Sequence, residues 1–368
     1  MAVREADHAG SWYSSNGQQL TQQLDHWLSQ VPEDVLQDGK LPLPGARVVI
    51  SPHAGFAYSG PAAAWAYKSL DLSKAKRIFI LHPSHHYHLR TAALPTVQGY
   101  RTPLSDEPLP LDLETISELS KLSIPAGNQN VRFSTMSKSV DEDEHSAEMQ
   151  LPYIHRLLQK LYPGKSVSSY PPLVPVMVGA TNTSTERALG KMLAPYIADE
   201  ENAFVISSDF CHWGARFSYT YYIADAPSPA ISPLTLPNGV GADSSSLDIH
   251  KQHDWHEGIM VKGTKAPSSP RIYESIAQVD RACMCGIASG SYSEFAQVVE
   301  ETANTVCGRH PIGVFMAGIE EVEKLDADKD NSQGGLRRRF RFMRYERSSD
   351  VLTGKDSSVS YVSAFAVL

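Results

Sequence analysis

The sequence predicts a single α/β domain, a central and largely parallel or mixed sheet flanked by helices. Three observations carry that prediction. Short continuous apolar runs, Val48-Val49-Ile50, Ile78-Phe79-Ile80-Leu81 and Ala203-Phe204-Val205-Ile206, read as strands buried on both faces. Segments of helical period alternate with them. No internal repeat interrupts the alternation.

Taken in order, Leu20, Leu24, Trp27, Leu28 and Val31 recur at helical spacing, so 16–31 is an amphipathic helix. The linker Leu-Pro-Leu-Pro-Gly follows, then a strand that ends at His53. Ala62 to Leu70 reads as a helix, and Arg-Ile-Phe-Ile-Leu as a strand running into His82-Pro-Ser-His85-His86. Residues 111–122 are helical, as are 145–161, where Pro152 kinks or restarts the helix. Leu173 to Val178 is a strand whose Pro175 assigns it to an edge or an irregularity. A helix over 184–198 precedes the strand 203–208. From 224 to 270 Pro, Ser, Gly and Asp dominate and no period survives, which predicts a mobile insertion rather than a domain. Helical patterning returns near 271–280 and 293–303. After Cys307-Gly-Arg-His-Pro comes a helix with Pro311 in its first turn. Ile312, Phe315, Met316, Ile319, Val322 and Leu325 form its stripe. Two strand-like segments, Arg-Phe-Arg-Phe-Met-Arg-Tyr and Val-Ser-Tyr-Val-Ser-Ala-Phe-Ala-Val-Leu, close the chain.

Composition narrows the function. With 368 residues, 42% hydrophobic and 20% charged, the chain has the make-up of a soluble protein with a full core. A net charge of −8 argues against a nucleic-acid partner, which needs a basic face. The one basic cluster, Arg337 to Arg339 with Arg341, reads as a charged sheet edge. Arg4, Glu5 and Asp7 stand where a signal peptide needs apolar residues. No apolar run approaches the roughly 18 residues of a membrane span. Four cysteines in this length do not make a disulfide framework. The expected compartment is a reducing cytoplasm, extending to the nucleus.

The strand ends carry the chemistry. Three of them finish on metal-binding or proton-moving groups: His53, then His85 among His82, His86 and His88, then Asp209 with His212. Parallel strands share one carboxyl edge, so residues just past different strands converge there. Two imidazoles and a carboxylate form the open-faced set of non-haem iron oxygenases. Within the histidine cluster His85 is the inward residue, with His82 and His88 on the surface. Asp209 has a helix-capping alternative, and His212 that of a structural partner to it. Cys307 precedes a helix start, which lowers a thiol pKa and suits a thiolate ligand or a nucleophile. The run from Asp141 to His145 reads as a solvated helix start, though His145 and Glu148 share a face able to line the cleft. Cys283 and Cys285 lack the spacing of zinc knuckles and stay unassigned.

The blocks HAGSWY at 8–13, SPHAGFAYSG at 51–60, PSHH at 83–86, YRTPL at 100–104, DEDEHSAEMQLPY at 141–153, SSDFCHWG at 207–214, CGRHPIG at 307–313 and DSSVSY at 356–361 resemble the Memo family. They run in order over nearly the whole chain except 224–270. The resemblance implies a fold similar to that of protocatechuate-type extradiol ring-cleaving dioxygenases. It also implies a metal site of His53, His85 and Cys307, with Asp209 and His212 in the same pocket. Iron and copper are the metals it implies, together with a redox role and motility signalling, and zinc is a further candidate for this donor set. Some family members bind phosphotyrosine-bearing peptides across this cleft. Because Cys307 replaces the dioxygenases' carboxylate ligand, ring cleavage itself is not expected. Three functions follow. The first is a metal-dependent redox protein with Asp209 and His212 as proton-handling catalytic groups. The second is a peptide-binding scaffold with Arg309 as the anion-binding group. The third is a hydrolase with Cys307 as nucleophile and His310 or His212 as base.

Overall fold

Nine strands build the main sheet of the computed structural model. In chain order they are β1 (Val48–Ser51), β2 (Arg77–Pro83), β3 (Ala92–Pro95), β4 (Ser134–Met136), β5 (Leu173–Val178), β6 (Asn202–Ser207), β7 (His212–Trp213), β8 (Arg341–Arg347) and β9 (Ser358–Ala366). Their order across the sheet is β7-β9-β1-β6-β2-β5-β3-β4, with β8 paired to β9 as well. The structure describes residues 2–36, 39–127, 129–224, 226, 259–261, 269–327 and 337–368.

The centre of the sheet is parallel: β1 with β6, β6 with β2, and β2 with β5. These are the continuous apolar runs, and every residue of β1, β5 and β6 is buried. A strand covered on both faces has no reason to alternate. Antiparallel pairs lie to either side, β9 on β1 and β3 on β5, so the sheet is mixed. β8 pairs with β9 on one side and forms an edge, in keeping with its arginines.

Among the described residues ten helices flank the sheet: α1 (Gly17–Ser29), α2 (Phe56–Ser69), α3 (Leu113–Lys121), α4 (Lys138–Asp143), α5 (His145–Glu148), α6 (Leu151–Leu161), α7 (Thr183–Ala198), α8 (Ile272–Ala288), α9 (Tyr292–Thr302) and α10 (Arg309–Ala327). α2 packs on β1 and β9 and carries α1 and α6. α10 packs on β2 and β6 beside α7 and α9. Gly190 faces Gly318, and a Cβ at Gly190 would meet the α10 backbone at 2.6 Å, so α7 and α10 touch main chain to main chain.

Several expectations change in detail. α2 begins at Phe56, a turn and a half before Ala62, with Pro61 inside it. The chain restarts at Leu151 with Pro152 in the first turn, as the proline requires. β5 is interior rather than an edge. Pro175 is tolerated because β3 pairs only with Met177 and Val178, leaving β2 as the strand partner at Pro175. Leu325 is 54% exposed and leaves the buried stripe of α10. β3, β4 and β7 were not readable, being two to four residues long, and neither were three short antiparallel ribbons. One ribbon pairs Tyr221–Tyr222, just before the expected insertion, with Ile259–Met260 inside it. The rest of that insertion lies largely outside the described residues.

Candidate metal centre

β1, β2 and β6 end side by side, at Ser51, Pro83 and Ser207. His53, His85 and Asp209 each follow two residues later, so parallel register delivers them to one place. Cys307 arrives from the loop before α10. Gly308 makes that approach feasible, because a Cβ there would meet Ser208 Cβ and the Ser207 carbonyl. One donor atom each from His53, His85 and Cys307 lie within 4.8 Å of one another.

Hydrogen bonds fix the tautomers of both rings. The Ser207 hydroxyl donates its only proton to the Ser146 carbonyl at 2.8 Å, so it accepts from His53 Nδ1–H at 2.7 Å. His53 Nε2 keeps its lone pair and lies 3.0 Å from Cys307 Sγ. Burial, with His85 and His145 nearby, holds the His53 imidazole well below its usual pKa, so the ring is neutral. The Glu144 carboxylate is held far below the ordinary carboxylate range; burial opposes this, and the His85 hydrogen bond and nearby imidazoles outweigh it. It is therefore an acceptor, and takes His85 Nδ1–H at 2.8 Å on Oε1 and the His85 backbone N–H at 2.6 Å on Oε2. In the neutral ring, His85 Nε2 is thus also left with a lone pair. A carboxylate behind an imidazole is the usual way a ligating ring is oriented.

Asp209 is buried and accepts the His53 N–H at 2.9 Å and the Ala54 N–H at 3.4 Å. Burial raises its pKa against the opposing pull of His212. His212 is half-buried, places Nδ1 2.8 Å from the Phe210 carbonyl, and meets the Phe217 ring edge-on at 5.2 Å. The expected Asp209–His212 orientation therefore gives way to orientation by a main-chain carbonyl. Cys307 Sγ accepts the Asp209 N–H at 3.1 Å. Burial and the Asp209 carboxylate push its thiol well above the usual value, the reverse of the helix-start expectation. Burial outweighs a helix that begins only at Arg309.

The remaining expectations divide. His82 is fully buried rather than on the surface, with Nδ1 3.0 Å from Ser146 Oγ; as a residue of β2 it points into the core. His88 is exposed as expected. The base partners expected for Cys307 give way to His53. His310 instead pairs through Nδ1 with Glu186 Oε1 at 2.7 Å. Arg309 donates from Nε to His310 Nε2 at 3.2 Å and lines a neighbouring pocket with it.

Glu144, Arg4, Trp12 and Ser207 were not read as site residues. Glu144 was hidden in an acidic run read as solvated, yet Asp141, Glu144 and Glu148 are each at most 1% exposed. The reason is Arg4, itself buried, which donates to Asp141 Oδ1 at 3.2 Å and Glu148 Oε2 at 2.7 Å. Glu148 also accepts from Tyr13 and from His8, so the N-terminal segment is tied across this turn. It brings Trp12 onto the His145 ring at 4.4 Å, and His145 stacks in turn on His85 at 4.5 Å. His145 Nδ1 is buried without a hydrogen-bond partner. The unusual charge of residues 4–7 was the available signal for this strap.

A family model described as Memo-like protein matches residues 4–365. Protein MEMO1 of Xenopus laevis is 40% identical over 365 residues, covering 99% of this chain and 97% of that protein. Protein MEMO1 of Homo sapiens is 39% identical over 361 residues, 98% and 96% of the two chains. A MEMO1 family protein of Schizosaccharomyces pombe is 37% identical over 366 residues, 99% of each. With nearly its whole length matched in this way, the chain belongs to the Memo family.

Proposed function

We propose that the protein holds an iron or copper ion, with zinc as a weaker candidate, through His53, His85 and Cys307, and that it acts as a redox protein. One observation carries this reading. Ser207 and Glu144 each accept a hydrogen bond from Nδ1–H of a histidine, which in the neutral rings leaves both Nε2 atoms free to ligate, and both histidines lie within reach of a single sulfur. Neutral imidazoles and a soft thiolate suit copper(I), zinc or iron, and disfavour magnesium or calcium. Iron or copper would supply one-electron chemistry there. The chain's own residues do the rest. Glu144 holds His85 in place, Asp209 fixes the main chain of His53, and His212 offers Nε2 to move a proton.

Anaerobic metal analysis of protein purified without chelator tests the reading, with Cys307→Ser and His53→Ala beside it. Retention of about one equivalent of iron or copper by wild type, lost in both variants, is the expected result. Equal retention in all three would end it. A peptide-docking scaffold is the second reading, favoured by Trp12, Tyr58 and Tyr87, large aromatics exposed on the segments that carry the site. Titration with tyrosine-phosphorylated and plain peptides separates the two. A place in motility signalling is supported by the family, and a reducing compartment by four cysteines that form no disulfide. Against a hydrolase stand the raised Cys307 pKa and the engagement of His310 elsewhere.

A further inference from the structure

The CGRHPIG segment contributes only Cys307 to the metal centre, yet its next residues form a second constellation. Arg309 and His310 line a pocket of about 490 Å³ together with residues from the start of α7 and one face of α9. That volume lies in the range of small-molecule sites. Three links run in series along its polar wall. Glu186, 7% exposed, accepts from Tyr292 Oη at 2.6 Å on Oε2 and from His310 Nδ1 at 2.7 Å on Oε1. Gly313 leaves space for this carboxylate, since a Cβ there would lie 2.5 Å from Glu186 Oε2. With Nδ1 donating, His310 Nε2 is an acceptor, and Arg309 Nε donates to it at 3.2 Å. A buried carboxylate thus orients an imidazole, and the imidazole orients a guanidinium.

The arrangement is unsuited to hydrolysis, because Thr181 Oγ1 and Glu186 both sit on Nδ1 of His310, leaving no hydroxyl on Nε2. It is suited to binding. Holding the exposed Arg309 by Nε leaves its two terminal nitrogens available as a fork, the geometry that recognises a planar carboxylate with two parallel hydrogen bonds. Opposite in chemistry are Phe295, Ala296 and Val299 of α9, an apolar wall at helical spacing. The geometry points to a second ligand site, separate from the metal donors, that takes a small organic carboxylate with an apolar body. This inference stands independently of the metal reading.

The test is ligand-observed fluorine NMR of 4-fluorobenzoate with the full-length protein, beside 4-fluorobenzyl alcohol and the variants Arg309→Gln, Val299→Arg and His53→Ala. Saturable binding of the carboxylate to wild type is expected, with the alcohol at least about tenfold weaker. Arg309→Gln should weaken the carboxylate by a similar factor, and Val299→Arg should abolish binding by filling the pocket. His53→Ala should bind as wild type does, whatever its metal content. Absence of saturable binding, equal binding of the alcohol, or an unchanged Arg309→Gln titration would overturn the inference. So would loss of binding in His53→Ala, which would place the ligand in the metal cleft instead.

Discussion

Replacing Glu144 by glutamine tests whether the metal reading rests on the right groups. The carboxylate accepts three N–H groups: His85 Nδ1–H at 2.8 Å and Ser146 N–H at 3.0 Å on Oε1, and His85 N–H at 2.6 Å on Oε2. An amide of the same shape has one oxygen. Set on the Oε1 side, it satisfies the ring and the α5 cap but turns its NH2 against the His85 main chain. Set on the Oε2 side, it turns two donors against the NH2. Either way His85 loses the partner that fixes its tautomer, its rotamer or the backbone beneath it. Loss of such an orienting partner costs about ten- to a hundredfold in metal affinity, which is about 1.4 to 2.7 kcal/mol. The assay is anaerobic competition of iron(II) or copper(I) against a chromophoric chelator, for wild type, Glu144→Gln and Glu148→Gln. Glu148→Gln alters a carboxylate of the same turn that binds Arg4, Tyr13 and His8 instead. It should melt earlier yet bind metal within about threefold of wild type, as expected for a site it does not orient. A folded Glu144→Gln protein whose affinity matches wild type would refute the orienting role.

Arg4→Met should lower the unfolding free energy by about 3 to 5 kcal/mol, because it strands two buried carboxylates; urea unfolding reads this, and a loss below about 1 kcal/mol would contradict it. Gly308→Ala should displace the Cys307 loop from the end of β6, since its Cβ would meet Ser208. Metal retention should fall while the far-ultraviolet dichroism stays near wild type, and normal retention would show that the loop can yield. His155 is buried and pushed down to about 4, against about 6.5 unfolded. Between those values the unfolded chain carries the extra proton, so this contribution is complete above about pH 6.5 and is lost as pH falls toward 4, by at most about 3 kcal/mol. Urea unfolding of His155→Leu at pH 7, 5.5 and 4.5 should show a shallower decline than wild type, and parallel declines would disprove the assignment.

The legible parts of the chain share a physical property: each is determined by neighbours in sequence or by a repeated local habit. β1, β2 and β6 announce themselves because strands buried on both faces read as unbroken apolar runs. His53, His85 and Asp209 could be assigned to one edge because each follows such a run by the same two residues. Pro152 announces a restart, since it has no N–H to continue the previous helix. β3, β4 and β7 stayed hidden, because two to four residues carry too little period, and their place comes from the strand beside them.

By itself, the sequence determined the α/β alternation, the carboxyl edge that gathers His53, His85 and Asp209, and through its ordered blocks the family. Only the tertiary structure decided which groups act on which. It turned a run of acids into a buried mount for His85, by bringing Arg4 more than a hundred residues through the chain to neutralise it. It set the Cys307 thiol above its usual pKa instead of below, because burial and Asp209 outweigh the start of α10. It sent His310 to Glu186 and Arg309 to His310, away from the cysteine beside them. Charge, tautomer and pKa depend on what lies within a few ångströms in space, and chain separation carries no record of that distance.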